Sequence, residues 1–307
     1  PARRQNDRRA WLVLLYTYQV HFMLAIILIK YKLVSVLAIT PEFFKPKQDH
    51  IMSKQLPQAK QATKPAPKTV KLSLLSYNAD AKTAKGNSLD SDYLTSILYL
   101  APATTADGEI NLCAWASEGC LLGCLFTAGR AAFTPNIIKA RIRKTLYYLH
   151  NKVAFMHDLL SDLERFQVFC AKHRKRPAYR LDGTSDITIA SRVARKFPLC
   201  QFYDYTKSVR RVLTNRHANL YLTFSRSEVN ESDCLTVLEA GHSVAVVFRK
   251  ELPAFYLGCP VIDGDKTDRR FLDREMFNIA DGQGFIVGLK AKGKAKKDRT
   301  GFVVDLH

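Results

Sequence analysis

Acidic side chains are scarce in this chain: 28 Asp and Glu stand against 47 Lys and Arg over 307 residues, a formal net charge of +19. That excess points to a polyanionic partner, nucleic acid or an anionic membrane surface, and says nothing of the fold. Several signatures are missing. No Gly-rich loop is shaped to cradle phosphate, and Gly282-Gln283-Gly284 lacks the third glycine of a dinucleotide fingerprint, which excludes the P-loop and Rossmann nucleotide-binding classes. No Ser-His-Asp elbow is present, which excludes hydrolases of that design. None of the histidines forms a pair with zinc-ligand spacing. No internal repeat is visible. The seven cysteines, an odd number in a long chain, argue against a secreted disulfide framework and for reduced thiols in a cytosolic compartment.

Three of those cysteines are grouped. Cys113, Cys120 and Cys124 fall in the run Cys-Ala-Trp-Ala-Ser-Glu-Gly-Cys-Leu-Leu-Gly-Cys. Thiolates are soft ligands suited to iron–sulfur clusters or zinc, and structural zinc normally takes four protein ligands. Three thiols on one loop therefore predict a metal centre with one position open to chemistry. Zinc stays in view with a fourth ligand from His150, His173 or a distant cysteine. So does plain packing, because free cysteine behaves as a small hydrophobe, and Trp115, Leu121 and Leu122 could shield a cluster or simply pack. Cys170, Cys200, Cys234 and Cys259 lie in helical or strand patterns and read as core.

Trp11 to Ile29 is an uncharged apolar run just long enough for a transmembrane helix, interrupted by Thr17, Gln19 and His21, with no signal-peptide cleavage pattern. The sequence opens on Pro1, whereas Met52-Ser-Lys-Gln resembles a natural start. Residues 1–51 are therefore expected to be absent from the working protein, a membrane anchor being the alternative. Residues 52–88, with Pro57, Pro65, Pro67 and spaced lysines, are expected to form a flexible basic tether. Residues 89–307 are expected to form one α/β domain.

Thr134-Pro135 predicts a helix start. A stripe at Ile138, Ile142, Leu146, Leu149, Val153, Met156, Leu160 and Leu163 predicts one long helix with a single buried face. Lys139, Arg141, Arg143 and Lys144 crowd its first turns against the helix dipole, an arrangement suited to a nearby anion or to a solvated face. Strands are predicted at 93–100, 110–112, 178–181, 201–205, 220–224, 243–248, 261–262 and 285–289, with helices at 187–197, 209–213 and 234–240. The alternation predicts an α/β fold whose parallel sheet is open or curled into a partial (β/α) barrel.

In parallel α/β folds the active site gathers at the carboxyl ends of the strands. The predicted strands end in polar clusters: Asp182, Thr184, Ser185 and Asp186; Asp204 and Tyr205; Ser225 and Glu228; Asp263 and Asp265. These are the candidates for substrate and catalytic contacts, with helix capping and turn chemistry as the plainer explanation. Arg130, Lys139, Arg141, Arg143, Lys144, Lys290 and Lys292 are the candidates for nucleic-acid contact, and the basic run from Lys290 to Arg299 could clamp phosphates.

The segments LCAWASEGCLLGCLFTAGR at Leu112–Arg130, QFYDYTK at Gln201–Lys207, LTFSRSEVN at Leu222–Asn230, VIDGDKTDRRFLD at Val261–Asp273 and GLKAKGKAKKDRTGFVV at Gly288–Val304 resemble a phage family named gene product eighty-eight, over about Leu89 to Asp305. The resemblance implies a phage or prophage origin, hence the cytoplasm of an infected or lysogenic bacterium, and implies no activity. A looser similarity runs to the radical S-adenosylmethionine enzymes, which carry three cysteines on a loop after an early strand of a parallel partial barrel. The cysteine intervals here are wider than theirs. By that similarity Cys113, Cys120 and Cys124 would hold an iron–sulfur cluster with S-adenosylmethionine on its open iron, and Asp182, Thr184, Ser185 and Asp204 would face cofactor or substrate. Two functions follow. One is an iron–sulfur enzyme modifying a nucleic-acid-related substrate, the other a non-catalytic, metal-stabilised protein that binds DNA or RNA.

Overall fold

A computed structural model describes residues 70–78, 87 and 91–306. The readings placed on residues 1–51, including the apolar run 11–29, and on 52–69 lie outside the described residues. The stretch 70–78, assigned above to the tether, belongs to the folded body. Leu75–Ser76 forms strand β1, and Leu74, Leu75 and Tyr77 are buried. Asp162, fully buried, accepts from the backbone amides of Ser73, Leu74 and Leu75. Those distant partners supply burial that local composition does not foretell, so the body reaches back before Leu89.

The described strands are β1, β2 (Tyr93–Leu98), β3 (Arg176–Arg180), β4 (Gln201–Thr206), β5 (Leu220–Ser225), β6 (Ser243–Phe248), β7 (Phe255–Tyr256), β8 (Cys259–Asp263), β9 (Phe285–Lys290) and β10 (Val303–Val304). They form one sheet in the order β1-β2-β3-β4-β5-β6-β9-β8-β7, with β10 paired to β6. From β2 to β8 every neighbouring pair on that path is parallel, whereas β1 and β7 pair antiparallel at the two edges. The mixed α/β fold with a mostly parallel sheet is the one predicted. All its parallel strands present their carboxyl ends to one rim. At that rim β5 ends on Ser225, opposite Ala245, and β10 takes over the same edge of β6 at Val247 and Phe248.

The helices are α1 (Glu118–Leu122), α2 (Pro135–His150), α3 (Lys152–Lys172), α4 (Ile189–Val193), α5 (Val209–Leu213), α6 (Glu231–Glu239) and α7 (Asp273–Met276). The single long helix read from the apolar stripe is broken at Asn151, which ends α2 and caps α3 by accepting from the Ala154 amide. The break resets the helical phase. The buried face of α3 runs through Phe155, Leu159, Leu163, Phe166 and Cys170, while Val153 is 85% exposed. Residues 110–112 form no strand. The Leu112 amide bonds instead to the Ala103 carbonyl, and its carbonyl accepts the Asp186 amide, which pins the start of the cysteine loop beside the end of β3.

One face of the sheet, through Tyr179, Phe202, Phe224 and Val246, packs against α3 to α6 in the main core. Each such fully buried side chain contributes roughly 1.5–3 kcal/mol. The other face is covered by the connection from β8 to β9. Phe271 packs against the rings of Tyr93 and Tyr203, and Arg269 donates to the Tyr93 carbonyl. Arg270 is fully buried, 3.1 Å from the carboxylate of Asp273. Among the described residues no helix is long and apolar enough to cross a membrane.

Candidate functional site

Two carboxyl groups meet at the rim. Asp182 follows β3 and Asp204 lies in β4; the Asp182 amide donates to Asp204 Oδ1 at 2.8 Å. Both side chains are buried, and the Oδ2 atom of each has no hydrogen-bond partner among the described residues. Burial and then the neighbouring Asp182 hold the Asp204 carboxyl well above its ordinary range. Burial pushes Asp182 up to about 7, against the pull of Arg211. Two adjacent buried carboxyls cannot both ionise cheaply, so the pair retains a proton near neutral pH.

Arg211, on α5, is the counter-charge. Its guanidinium lies 3.5 Å from Asp182 Oδ2, and Nη1 donates to Asp186. Ser185 Oγ donates to Asp182 at 3.0 Å, and Asp186 accepts the Lys207 amide at 2.9 Å. Asp182, Ser185, Asp186 and Asp204 are thus brought together, around an arginine that no sequence motif singles out. Arg211 lies in a short basic helix whose pattern marks no inward-facing position.

The cysteine loop sits over this cluster. Ser117 caps α1, and Glu228, just past β5, accepts from Ser117 Oγ at 2.7 Å and from the Gly119 amide at 2.8 Å. Partial burial pushes the Glu228 carboxyl up, but the amides of Glu228 and Gly119 and the Ser117 hydroxyl outweigh it and hold the group below its usual range. Gly119 permits a close approach on the other side: a Cβ there would lie 2.1 Å from Thr300 Oγ1 and 2.5 Å from Phe302 Cβ.

The three thiols share this space electrostatically. Burial pushes Cys113 up to about 12, and Cys124, Asp186 and Cys120 push the same way. Burial also raises Cys124, with Cys120 adding to it and the cations Lys207 and Arg141 opposing. Lys207 donates to Ser225 Oγ at 3.1 Å, and Arg141 lies over the Tyr99 ring at 4.6 Å and donates to the Phe126 carbonyl. Among the described residues no group of three or more His, Cys, Asp or Glu is assembled at metal-ligating distance. The thiols are neighbours and are not drawn into a ligand set.

The remaining candidates fall elsewhere. Thr184 donates to the Leu100 carbonyl at 2.5 Å and so staples β3 to the end of β2. Tyr205 lies against Arg180, whose guanidinium sits 4.6 Å from its ring and pairs with Asp268 at 3.0 Å. Asp263 accepts the Asp265 amide within its own turn, and Asp265 pairs with Lys292 and accepts the Lys290 amide. Of the basic candidates, Lys139, Arg143, Lys290 and Lys292 are exposed. Lys144 donates to the Leu74 carbonyl, and burial lowers its pKa to about 8, so it serves the fold rather than a basic face. The side chain of Arg130 lies outside the described residues.

Residues 72–306 match the model of a family described as Gene product 88. No curated protein and no solved structure matches the chain.

Proposed function

We propose a function for this chain, which belongs to the Gene product 88 family: an iron–sulfur enzyme, similar in plan to the radical S-adenosylmethionine enzymes, acting at the rim on a nucleic-acid-related substrate. The observation that carries it is the placement of the loop that bears Cys113, Cys120 and Cys124 beside the carboxyl ends of β3, β4 and β5. The chemistry of that donor set fits a metal centre. Desolvation holds the Cys113 and Cys124 thiols up, which disfavours a nucleophilic role for either, and a polyvalent cation would favour their ionisation.

A four-iron cluster held by three thiolates leaves one iron for a bound cofactor and supplies one-electron chemistry. Cys113, Cys120 and Cys124 would hold it. Lys207 and Arg141 would offset negative charge at Cys124, and Glu228 fixes the loop through Ser117 and Gly119. Asp182 and Asp204 hold a proton within the same rim, with Arg211 orienting Asp182 and Asp186. That pair is the group suited to give or take a proton from a substrate.

The test is iron, sulfide and zinc content of the full chain purified without oxygen, alongside its visible spectrum. A brown protein with about four iron and four sulfide per chain, lost in Cys120→Ser, is the expected result. One zinc per chain and no colour would replace this reading with a metal-stabilised binding protein. Absence of both metals would return the three thiols to core packing.

A further inference from the structure

Six of the fifteen large apolar side chains exposed on the described surface fall between Ile110 and Phe133, on or beside the thiol loop. Trp115 is 46% exposed, Leu122 58% and Phe133 89%. That concentration on one stretch of chain, the thiol loop and its flanks, singles out this face as the candidate for docking, since scattered single exposures would need no explanation.

A basic turn stands against the same loop. Ala295 is buried there: a Cβ on Gly123 would lie 3.2 Å from its methyl, and a Cβ on Gly293 would lie 3.1 Å from that of Ala128. With Ala295 turned inward, Lys294, Lys296 and Lys297 turn outward and are exposed, as is Arg299. None of these four is in an ion pair among the described residues. Exposed cations therefore border an aromatic and aliphatic platform.

We infer that this face docks single-stranded nucleic acid, with bases on Trp115 and its leucine neighbours and phosphates on Lys294, Lys296 and Lys297. The chemistry distinguishes it from other polyanions. A duplex offers phosphates but keeps its bases stacked on one another, leaving the apolar platform uncovered, whereas a single strand presents both groups at once. An anionic membrane would call for an amphipathic helix laid flat in the interface, and α1 has only five residues. The inference deepens the reading of the rim as an enzyme centre by assigning its substrate class, but the surface contains none of the three thiols.

The experiment is fluorescence anisotropy of a labelled mixed-sequence single strand with the full chain over a range of salt. Competing duplex and phosphatidylserine vesicles are the comparison arms, and iron is assayed on the same sample. The single strand should be preferred over both. K294E/K296E/K297E should weaken binding at least about tenfold and flatten the log–log salt slope by about 2, at roughly 0.7 for each phosphate no longer neutralised. Trp115→Ala should weaken binding by about tenfold with the slope unchanged. Circular dichroism on each variant separates a failure to bind from a failure to fold. Unchanged affinity in folded variants, preference for duplex, or variant-sensitive binding to vesicles instead of the strand would overturn the inference. Iron without strand binding would refute this surface and leave the proposed centre standing; strand binding without iron would do the reverse.

Discussion

Replacing Asp204 by Asn isolates the buried carboxyl pair. A carboxyl whose folded pKa is raised gives stability that is fully present below its unfolded pKa and lost as pH rises through the folded one. Burial holds Asp182 at about 7, and an unfolded aspartate titrates near 4. At about 1.4 kcal/mol per unit of difference, that gap means a loss on the order of 4 kcal/mol between about pH 4 and pH 7 for a single retained proton. Asp204 is shifted in the same direction by burial and by Asp182. Asn can still accept the Asp182 amide through its carbonyl oxygen, so the geometry survives while one titrating group disappears. The assay is urea unfolding of wild type and Asp204→Asn at about pH 5, 6, 7 and 8. Near pH 5 the two should differ by only about 1–1.5 kcal/mol, because the unfolded carboxyl has ionised over only about one unit of pH. Near pH 8 the variant should be the more stable by roughly 2 kcal/mol or more, with a shallower loss across the range. Equal slopes, or a variant less stable than wild type near pH 8, would refute a shared proton at this site.

Two further outcomes follow from the same structure. Glu228→Gln removes a charged acceptor from Ser117 and Gly119; it should lower stability by about 1 kcal/mol at neutral pH, a figure reduced for the partial exposure of the group. Its folded pKa is depressed, so the contribution is present above the unfolded value of about 4.3 and fades in more acid solution. Thermal melts of variant and wild type should therefore converge at low pH. Burial already pushes the Asp273 carboxyl up to about 7 against the pull of Arg270, so Arg270→Leu strands a buried carboxylate above that pH and should cost about 3–5 kcal/mol in denaturant unfolding there. Adding Asp273→Leu should recover most of that, whereas a double variant as unstable as the single one would assign the loss to packing.

The parallel sheet was legible because its strands are short apolar runs separated by helical periods. Val209–Leu213 and Ser243–Phe248 fall at the predicted bounds. What escaped was set by partners distant in sequence. Leu75–Ser76 and Val303–Val304 have two residues each and exist only because β2 and β6 offer them free edges. The break at Asn151 escaped because an apolar stripe can be drawn through it, although capping there shifts the buried face to Phe155 and Leu159. At the site, clustering of Asp182, Ser185, Asp186 and Asp204 followed from strand ends alone. Arg211, which binds them, did not, since one arginine among several on a short helix carries no local mark. Tyr205 and Asp263 sit at predicted strand ends but bond within the sheet's other face and within a turn.

The cover over the thiol loop bears on the order in which the protein is made. Thr300, Phe302 and Ala295 close on Gly119 and Gly123, and β10 seals the edge of β6 that β5 leaves. On a ribosome the loop emerges early and this cover emerges late. Throughout that interval the cysteines are accessible to metals, chaperones and oxidants, and afterwards access narrows. A chain stalled before Gly293 would therefore display the thiol loop without the segment that shelters it.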